Sequence, residues 1–261
     1  MIRIQNYVMA ESLEQAYQLN QNKRSRILGG MLWLKMSNIA VTNAIDLSRL
    51  ELNEIEETEE EFSIGAMTTL RQLELHEGLN AYACGAVAKA VRDIVGVQFR
   101  NMATVGGSIF GRFGFSDVLT VFLAMDTYVE LYRRGIVSLE EFANMEKDRD
   151  ILVRLIVKKR PGRFAYQAMR NQRTDFPVLT CAVSELEGEY RAVIGARPAK
   201  ARILRDEHGI LSNGVNEESA KLFASFAADT LPTSGNVRGS AAYRTHLIRV
   251  LTRRTLLELE G

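Results

Sequence analysis

The chain has 261 residues, enough to bury a proper core and to divide into two or three lobes. Hydrophobic residues make up 46% and charged residues 25% of it, as in ordinary soluble globular proteins. A formal net charge of +1 argues against a nucleic-acid binder, because that function usually needs a strong basic excess.

The first predicted lobe spans residues 1–50. Ser12 to Gln15 form a capping-box pattern, which predicts a short helix. A short apolar strand then ends at Leu28 and runs into Gly29-Gly30, followed by residues that can start a helix. Because glycine lacks Cβ, such a loop leaves backbone amides free to approach an anion beside a strand end.

The second predicted lobe spans residues 51–158 and contains a second glycine pair. In the stretch from Arg100 to Asp126 we predict a strand, a loop at Gly106-Gly107, a glycine-rich crossing and an apolar helix opened by Asp117. The other predicted elements of this lobe are a strand at Phe62–Ala66, a capping box at Thr69–Gln72, a helix at about Ala81–Val95, and strands near Thr127–Tyr132 and Ile151–Val157.

The two glycine pairs together indicate a phosphate-binding cleft. One isolated Gly-Gly pair is a weak signal, since it also makes ordinary hairpin turns. Two of them beside strand ends could hold two ends of one elongated ligand. Neither has the G-x-G-x-x-G or G-x-x-x-x-G-K-[ST] spacing, so the Rossmann and P-loop interpretations both fail. For Asp117 the structural alternative is a helix N-cap.

The third predicted lobe spans residues 159–261. Three strands followed by helices predict a small α+β unit, and the absence of a repeating βαβ period predicts an α+β class for the whole chain. On the final helix, Arg244, Arg249, Arg253 and Arg254 are expected on a solvated or docking face. The strands are predicted at Phe164–Met169, Val178–Val183 and Arg191–Ile194, and the helices at about Glu217–Asp229 and Ser240–Leu259.

The two cysteines, Cys84 and Cys181, cannot supply the four thiolates of an iron-sulfur cluster, and no Cys or His pair has zinc-ligand spacing. We therefore predict no metal site on this chain. Both thiols have small or apolar neighbours, which predicts buried structural cysteines in a reducing compartment. The N-terminus lacks a signal-type apolar core and no window approaches a membrane span, so we expect a cytoplasmic protein without membrane contact.

Several blocks, in order along the chain, resemble one family. RNMATVGGSI…SDVLTVFLAMD is similar to the second flavin-binding motif of the FAD-binding medium subunit of molybdenum hydroxylases, the xanthine dehydrogenase and carbon monoxide dehydrogenase type. Further similar blocks are ILGG near position 28, FSIGAMTTLRQLE from Phe62, AMRNQRTDFPVLTCAV from Ala168, RAVIGARP from Arg191 and VRGSAAYRTHLIRVLTRRTL from Val237.

The resemblance implies a vanillyl-alcohol-oxidase-type fold, with FAD between the first two lobes and a C-terminal α+β lobe, a three-stranded antiparallel sheet with helices, at the flavin end. It also implies a hetero-oligomer in which a molybdopterin-binding large subunit and a [2Fe-2S] small subunit deliver electrons through FAD to NAD. No catalytic residue is expected on this chain. The implied cofactor-binding residues are Ile27, Leu28, Gly29, Gly30, Met31, Leu32, Thr104, Gly106, Gly107, Ser108, Ile109, Ser116, Asp117, Ile151, Leu152 and Gln167.

Three departures from the family pattern keep a second hypothesis open. Relatives usually read A-G-G-T-D where this chain has Leu28 to Leu32, and they carry asparagine at Ser108 and proline at Gly114. The alternative is therefore a degenerate structural subunit of the same complex, with weak or no FAD binding. Three phenylalanines also crowd the crossing; one could stack on the flavin, although core or lid packing is the favoured expectation for Phe110, Phe113 and Phe115.

Overall fold

The computed structural model describes residues 1–260, in which twelve strands form three sheets and the helices pack between and around them. The N-terminal sheet is parallel, in the order β1-β3-β2. The predicted helix and the predicted strand ending at Leu28 are both present, and the Ser12 hydroxyl caps the helix by accepting from the Gln15 amide at 3.1 Å. Its elements are β1 (Arg3–Met9), α1 (Leu13–Asn20), β2 (Arg26–Leu28) and β3 (Ala40–Asp46), with a 3-10 turn at Leu34–Met36.

The middle sheet has five strands in the order β4-β5-β8-β6-β7, and all its pairs are antiparallel. Its helices form a layer between this sheet and the C-terminal sheet, and the second capping box is confirmed at Thr69 and Gln72. The elements are β4 (Ile55–Glu57), β5 (Glu61–Gly65), α2 (Leu70–Leu75), α3 (Glu77–Tyr82), α4 (Ala86–Val91), α5 (Val97–Arg100), α6 (Val105–Phe110), α7 (Asp117–Leu123), β6 (Thr127–Leu131), β7 (Gly135–Ser138), α8 (Leu139–Asn144) and β8 (Leu152–Lys158).

Three expectations for this region were wrong. The long helix expected from Ala81 is interrupted, because Cys84 and Gly85 have φ angles of 51° and 76°, in the left-handed region that a helix cannot continue through. Cys84 is therefore exposed at a turn, whereas Cys181 is buried as expected. The strand expected at Arg100 is helical, since α5 ends there.

The C-terminal sheet has four antiparallel strands in the order β12-β11-β10-β9, so the predicted three-stranded sheet was wrong. The missed strand is short and flanked by arginines, which hides the two apolar residues that pair with β11. Arg244 was also wrongly placed on a solvated face, because it is buried and donates to the carbonyls of Val178 and Ser234. The elements are β9 (Gly162–Arg170), β10 (Pro177–Leu186), β11 (Glu189–Gly195), β12 (Arg202–Arg205), α9 (Glu217–Thr230) and α10 (Ala241–Glu258).

The C-terminal sheet is covered on both faces, and this fixes its position beside the other two lobes. Tyr166, Ala182 and Val193 join the core of the middle lobe, while their neighbours Ala165 and Cys181 pack into the core shared with α9 and α10. Strand β9 therefore ends against α7, where the loop that follows it can reach the N-terminal lobe. Within residues 1–260, no helix is both long and apolar enough to cross a membrane.

Candidate functional site

A cleft of about 1100 Å³ lies where the three sheets meet, and it is the candidate functional site. Its volume is that of a pocket for a large small-molecule ligand. Apolar surface dominates its walls, with main-chain polar groups and a few charged side chains between them. Four segments supply most of its lining: the loop after β2, helix α6 with the crossing to α7, the residues before β8, and the loop after β9.

The loop after β2 keeps its amides available. Within residues 1–260, the backbone N–H groups of Gly29 through Trp33 donate to no carbonyl or side chain. None of these five residues is buried, so these donors remain accessible to solvent or to a ligand. Met31 holds a φ of 56°, a left-handed conformation of the kind that turns successive amides toward one point. The main chain of this loop therefore offers a group of hydrogen-bond donors of the kind that can bind an anion.

The base of this loop is packed tightly against the second glycine segment. A Cβ on Gly30 would lie 1.9 Å from the Met102 carbonyl oxygen, which is part of the rigid backbone. A Cβ on Gly29 would lie 2.7 Å from Oγ1 of Thr104. Glycine is required here because two backbones cross at contact distance.

The second glycine pair is not a loop, and its amides are not free. Gly106 and Gly107 lie in the first turn of α6, whose N-cap is Thr104. The Gly106 amide donates to the Ala66 carbonyl at 2.7 Å, and the Gly107 amide donates to Oγ1 of Thr104 at 3.1 Å. The expectation of two free amides at this pair was therefore wrong. Gly106 serves close packing, since its Cβ would lie 2.7 Å from the Ala66 carbonyl oxygen.

Ser116 and Asp117 have separate roles at the start of α7. Ser116 is the N-cap, since its hydroxyl accepts from the Leu119 amide at 3.1 Å, so the N-cap alternative for Asp117 was wrong. Asp117 is the first helical residue and is only 4% exposed. Its carboxylate accepts from Arg170 at 2.6 Å and from the Tyr166 hydroxyl. This cluster joins α7 to β9 at the cleft wall.

The electrostatics of this cluster follow from its burial. Burial raises the pKa of the Asp117 carboxyl from 3.8 to about 6, against the opposing effects of the Arg170 charge and the Tyr166 hydrogen bond. Burial and the adjacent carboxylate raise the pKa of Tyr166 well above its usual value. Arg170 also donates to the Asp175 carbonyl at 2.7 Å and so holds the loop after β9 against the cleft.

All but two of the predicted cofactor-binding residues line the cleft. Ile109 is fully buried in the core of the middle lobe instead. Gln167 lies outside the cleft, where its amide donates to Glu258 of α10 at 2.7 Å. The structure therefore does not bring these two residues together with the others, since consecutive positions of a strand or helix face different sides.

Four aromatic rings that line the cleft form a cluster, and none of them was among the predicted cofactor-binding residues. The ring centroid of Trp33 lies 5.5 Å from that of Phe176, 5.9 Å from Phe115 and 6.5 Å from Phe113. Phe113 and Phe115 are stacked at 5.2 Å, and Phe115 meets Phe176 edge-on at 4.7 Å. We call these four residues the aromatic cluster. It combines residues from all three parts of the chain; the sequence had drawn attention to the phenylalanines of the crossing and to the block around Phe176, but not to Trp33.

The arrangement can bind an elongated ligand that combines an anionic group with flat apolar rings. Free main-chain amides supply the anion contacts, and the apolar walls and aromatic cluster supply surfaces for rings. Within residues 1–260, no three His, Cys, Asp or Glu side chains are grouped so that they could hold a metal ion.

Comparison with known proteins gives one consistent result. Residues 2–159 match the family described as the FAD binding domain in molybdopterin dehydrogenase, and residues 164–259 match the carbon monoxide dehydrogenase flavoprotein C-terminal domain. The glyceraldehyde dehydrogenase medium chain of Sulfolobus acidocaldarius is 25% identical, over 97% of this chain and 98% of its own. A putative xanthine dehydrogenase FAD-binding subunit of Escherichia coli is 26% identical, over 97% and 95%.

Solved structures show the same fold. A carbon monoxide dehydrogenase chain from Hydrogenophaga pseudoflava superposes with a TM-score of 0.87 at 23% identity, covering 98% of this chain and 97% of that one. A chain of quinoline 2-oxidoreductase from Pseudomonas putida gives 0.85 at 19% identity, covering 97% and 96%. The α+β class predicted from the sequence is confirmed.

Proposed function

The chain belongs to the family of FAD-binding domains in molybdopterin dehydrogenases, and we propose that it is the electron-transfer flavoprotein subunit of such a complex. In this proposal a molybdopterin-binding large subunit and a [2Fe-2S] small subunit deliver electrons to this chain, which passes them to NAD. The names of the relatives support a complex of several subunits, since one is a medium chain and the other a FAD-binding subunit. The proposed location is the cytoplasm, and the proposed organisation is two FAD-binding lobes, residues 1–50 and 51–158, of the vanillyl-alcohol-oxidase type, followed by a C-terminal domain, residues 159–261.

The row of available amides from Gly29 to Trp33 carries this proposal. A pyrophosphate needs several hydrogen-bond donors that point at one place, and backbone amides provide them without a bulky side chain. This loop meets that need although the usual threonine and aspartate are replaced by Met31 and Leu32. The chemistry of the residues present therefore fits FAD, with the loop after β2 holding its phosphates.

The other residues of the cleft would orient the cofactor and exclude water. Ile151 and Leu152, both nearly fully buried, form an apolar wall before β8. Ser108 faces the first loop across the cleft, while its hydroxyl donates to the Thr104 carbonyl at 3.0 Å. When bound, FAD supplies the exchange between one-electron and two-electron transfer. The protein supplies position and a low-dielectric surround.

Purified protein incubated with excess FAD and freed of unbound cofactor tests the proposal. We expect a flavin absorption spectrum at one flavin per chain, which NADH bleaches when the sample is anaerobic. Absence of bound flavin after this incubation would overturn the FAD-binding function. Bound flavin that NADH does not bleach, in the assembled complex, would overturn only the transfer to NAD.

A degenerate structural subunit is the second candidate, and two observations favour it. The Gly106 and Gly107 amides are already used inside the fold, which reduces the donors available on the second wall. Gly114, where relatives carry proline, lies against the C-terminal domain, and a Cβ there would lie 2.7 Å from the Ala199 carbonyl oxygen. Co-purification separates the candidates, because a structural subunit would assemble with the molybdenum subunit and leave the complex without flavin and without electron transfer to NAD.

A further inference from the structure

The aromatic cluster and the amide loop share one cleft, and Trp33 belongs to both. Its amide is one of the available donors, and its indole contacts the three phenylalanine rings. The cluster is held from outside by two cations: Arg238 lies 4.7 Å from the Phe176 ring centre and Lys147 lies 5.8 Å from that of Phe113. Rings from three parts of the chain thereby line the cleft together.

The phenylalanine side of the cluster is fixed. Phe115 immediately precedes the N-cap of α7, and Phe113 stacks on Phe115 nearly in parallel, at an interplanar angle of 11°. Phe176 follows Asp175, whose carboxylate accepts hydrogen bonds from the Phe176 amide at 2.7 Å and from Arg238 at 3.2 Å. The backbone next to Phe115 and Phe176 is therefore held by a helix cap and by hydrogen bonds, and Phe113 stacks on Phe115.

The Trp33 side is different, because its backbone is anchored while its indole is not. Met31 and Leu34 pack on the small core of the N-terminal sheet, and Leu32 packs on the core of the middle lobe. The indole is 46% exposed and is held by ring contacts alone, with no hydrogen bond within residues 1–260. A rotation of this side chain would break ring contacts and no hydrogen bond.

We infer that Trp33 is a specificity-determining residue of the cleft: its indole closes the ring-binding end by packing on Phe113, Phe115 and Phe176, and it yields that place to a flat heteroaromatic ring of the ligand. This inference rests on the proposed FAD-binding function. When the indole leaves the three phenylalanine rings, a ligand with a flat ring makes new contacts with them in its place. A ligand without a flat ring makes no such contacts, so the lost ring contacts are not replaced. The cleft therefore selects ligands that carry both a diphosphate and a flat ring.

Rapid-mixing kinetics of FAD binding to the full chain, followed by flavin fluorescence, test this inference. The variants are Trp33→Ala, Trp33→Phe and the control Tyr243→Ala, which removes an aromatic residue of similar exposure, 40%, that does not line the cleft. We expect Trp33→Ala to raise both the association and the dissociation rate constants about tenfold, because opening no longer requires three ring contacts to break. Trp33→Phe should fall between wild type and Trp33→Ala, and Tyr243→Ala should match the wild type.

FMN and ADP, which each carry one of the two rings of FAD, show which ring takes the place of the indole. Association of at least one of them is expected to accelerate in Trp33→Ala, and the one that does so identifies the ring. Because Trp33 is the sole tryptophan, its emission reports the same event in the wild type. A change in the wild-type emission on binding is expected; unchanged emission overturns the inference.

The remaining outcomes distinguish a failure of this inference from a failure of the proposed FAD-binding function. If the variants bind FAD with wild-type rates, or if only dissociation accelerates, Trp33 does not control entry and the inference is overturned while FAD binding stands. If neither the wild type nor Trp33→Ala binds FAD, the proposed function fails and the inference fails with it. If Trp33→Ala binds FAD and the wild type does not, the proposed function is overturned for this chain, and the inference, which rests on it, is overturned as well.

Discussion

The two glycine pairs look like copies of one device in the sequence, yet the structure uses them in opposite ways. Gly29-Gly30 begins a run of five residues whose amides donate to nothing within residues 1–260. Gly106-Gly107 lies inside a helical turn, where each amide has an acceptor, Ala66 O or Thr104 Oγ1. The first pair leaves donors for a ligand; the second positions the helix that the first packs against.

This difference shows that a glycine pair in a sequence indicates a close approach to the backbone, but it does not identify the group that approaches. At Gly30 and Gly106 the approaching group is a carbonyl oxygen of the protein itself. The anion-binding capacity resides in the residues after the first pair, up to Trp33. Mutations at the first pair should therefore affect ligand affinity in addition to folding, and mutations at the second should leave ligand affinity largely unchanged.

Gly30→Ala is expected to have the largest effect. Its Cβ would lie 1.9 Å from the Met102 carbonyl oxygen, so the loop must move away from α6. We expect a loss of about 3 kcal/mol in the free energy of unfolding from this overpacking. The displaced loop should also lose two charge-assisted hydrogen bonds from its amides to the FAD phosphates, which should weaken FAD binding by about 100-fold. Urea unfolding and FAD titration measure the two effects.

Gly107→Ala is the matched control for that experiment. Its Cβ would lie 3.2 Å from Oγ1 of Thr104, which is a side-chain atom, and the residue is exposed. A small effect on both stability and affinity is expected. Equal losses of FAD affinity in the two variants would show that the two pairs contact the ligand alike, and the contrast between them would be wrong.

The sequence predicted those parts of the fold that depend on neighbours along the chain. The N-cap at Ser12 and the capping box at Thr69 were predicted because side chain and amide lie three residues apart. The use of the Gly106 amide could not be predicted, since its acceptor, Ala66, lies 40 positions away. The same holds for the aromatic cluster, which combines three distant segments. Strand β12 was missed because a four-residue strand has too few positions to show a period.

The second-largest expected effect is the pH dependence of stability that Asp117 contributes. Because the folded-state pKa of Asp117 is raised from 3.8 to about 6, the folded protein binds more protons than the unfolded chain between these pH values. Stability from this group is therefore fully present below pH 4 and is lost as the pH rises through 6, by up to about 3 kcal/mol. Unfolding free energies of wild type and Asp117→Asn from pH 4 to 7 measure it.

The wild type should lose stability relative to Asp117→Asn over this pH range. Asp229→Asn, at an exposed ion pair with Arg249, controls for removal of a surface charge. If the wild type instead gains relative stability as the pH rises, the ion pair with Arg170 outweighs burial and the direction given for the Asp117 pKa is wrong. Since Arg170 and Tyr166 already bond the carboxylate, FAD affinity should change little in the variant.

Gly106→Ala should affect folding and spare binding. Its Cβ would lie 2.7 Å from the Ala66 carbonyl oxygen, the same atom that accepts its amide. We expect a loss of about 2 kcal/mol in unfolding free energy from the forced backbone shift. Gly96→Ala is the control, since its nearest contact would be a side-chain atom at 3.5 Å. Unchanged stability with weakened FAD binding would place the ligand at the second pair.

Thr104→Val should have the smallest effect, and it tests the contact between the two pairs. The variant keeps the shape of the side chain and removes the hydroxyl that accepts from the Gly107 amide and lies beside Gly29. Loss of this N-cap should cost about 1 kcal/mol of unfolding free energy, and no more, because Gly107 is exposed and water can replace the acceptor. Thr104→Ser keeps the hydroxyl and should match the wild type in thermal unfolding. If Thr104→Val leaves stability unchanged but weakens FAD binding, then Thr104 contacts the ligand directly. In that case the second pair would belong to the ligand-binding wall after all.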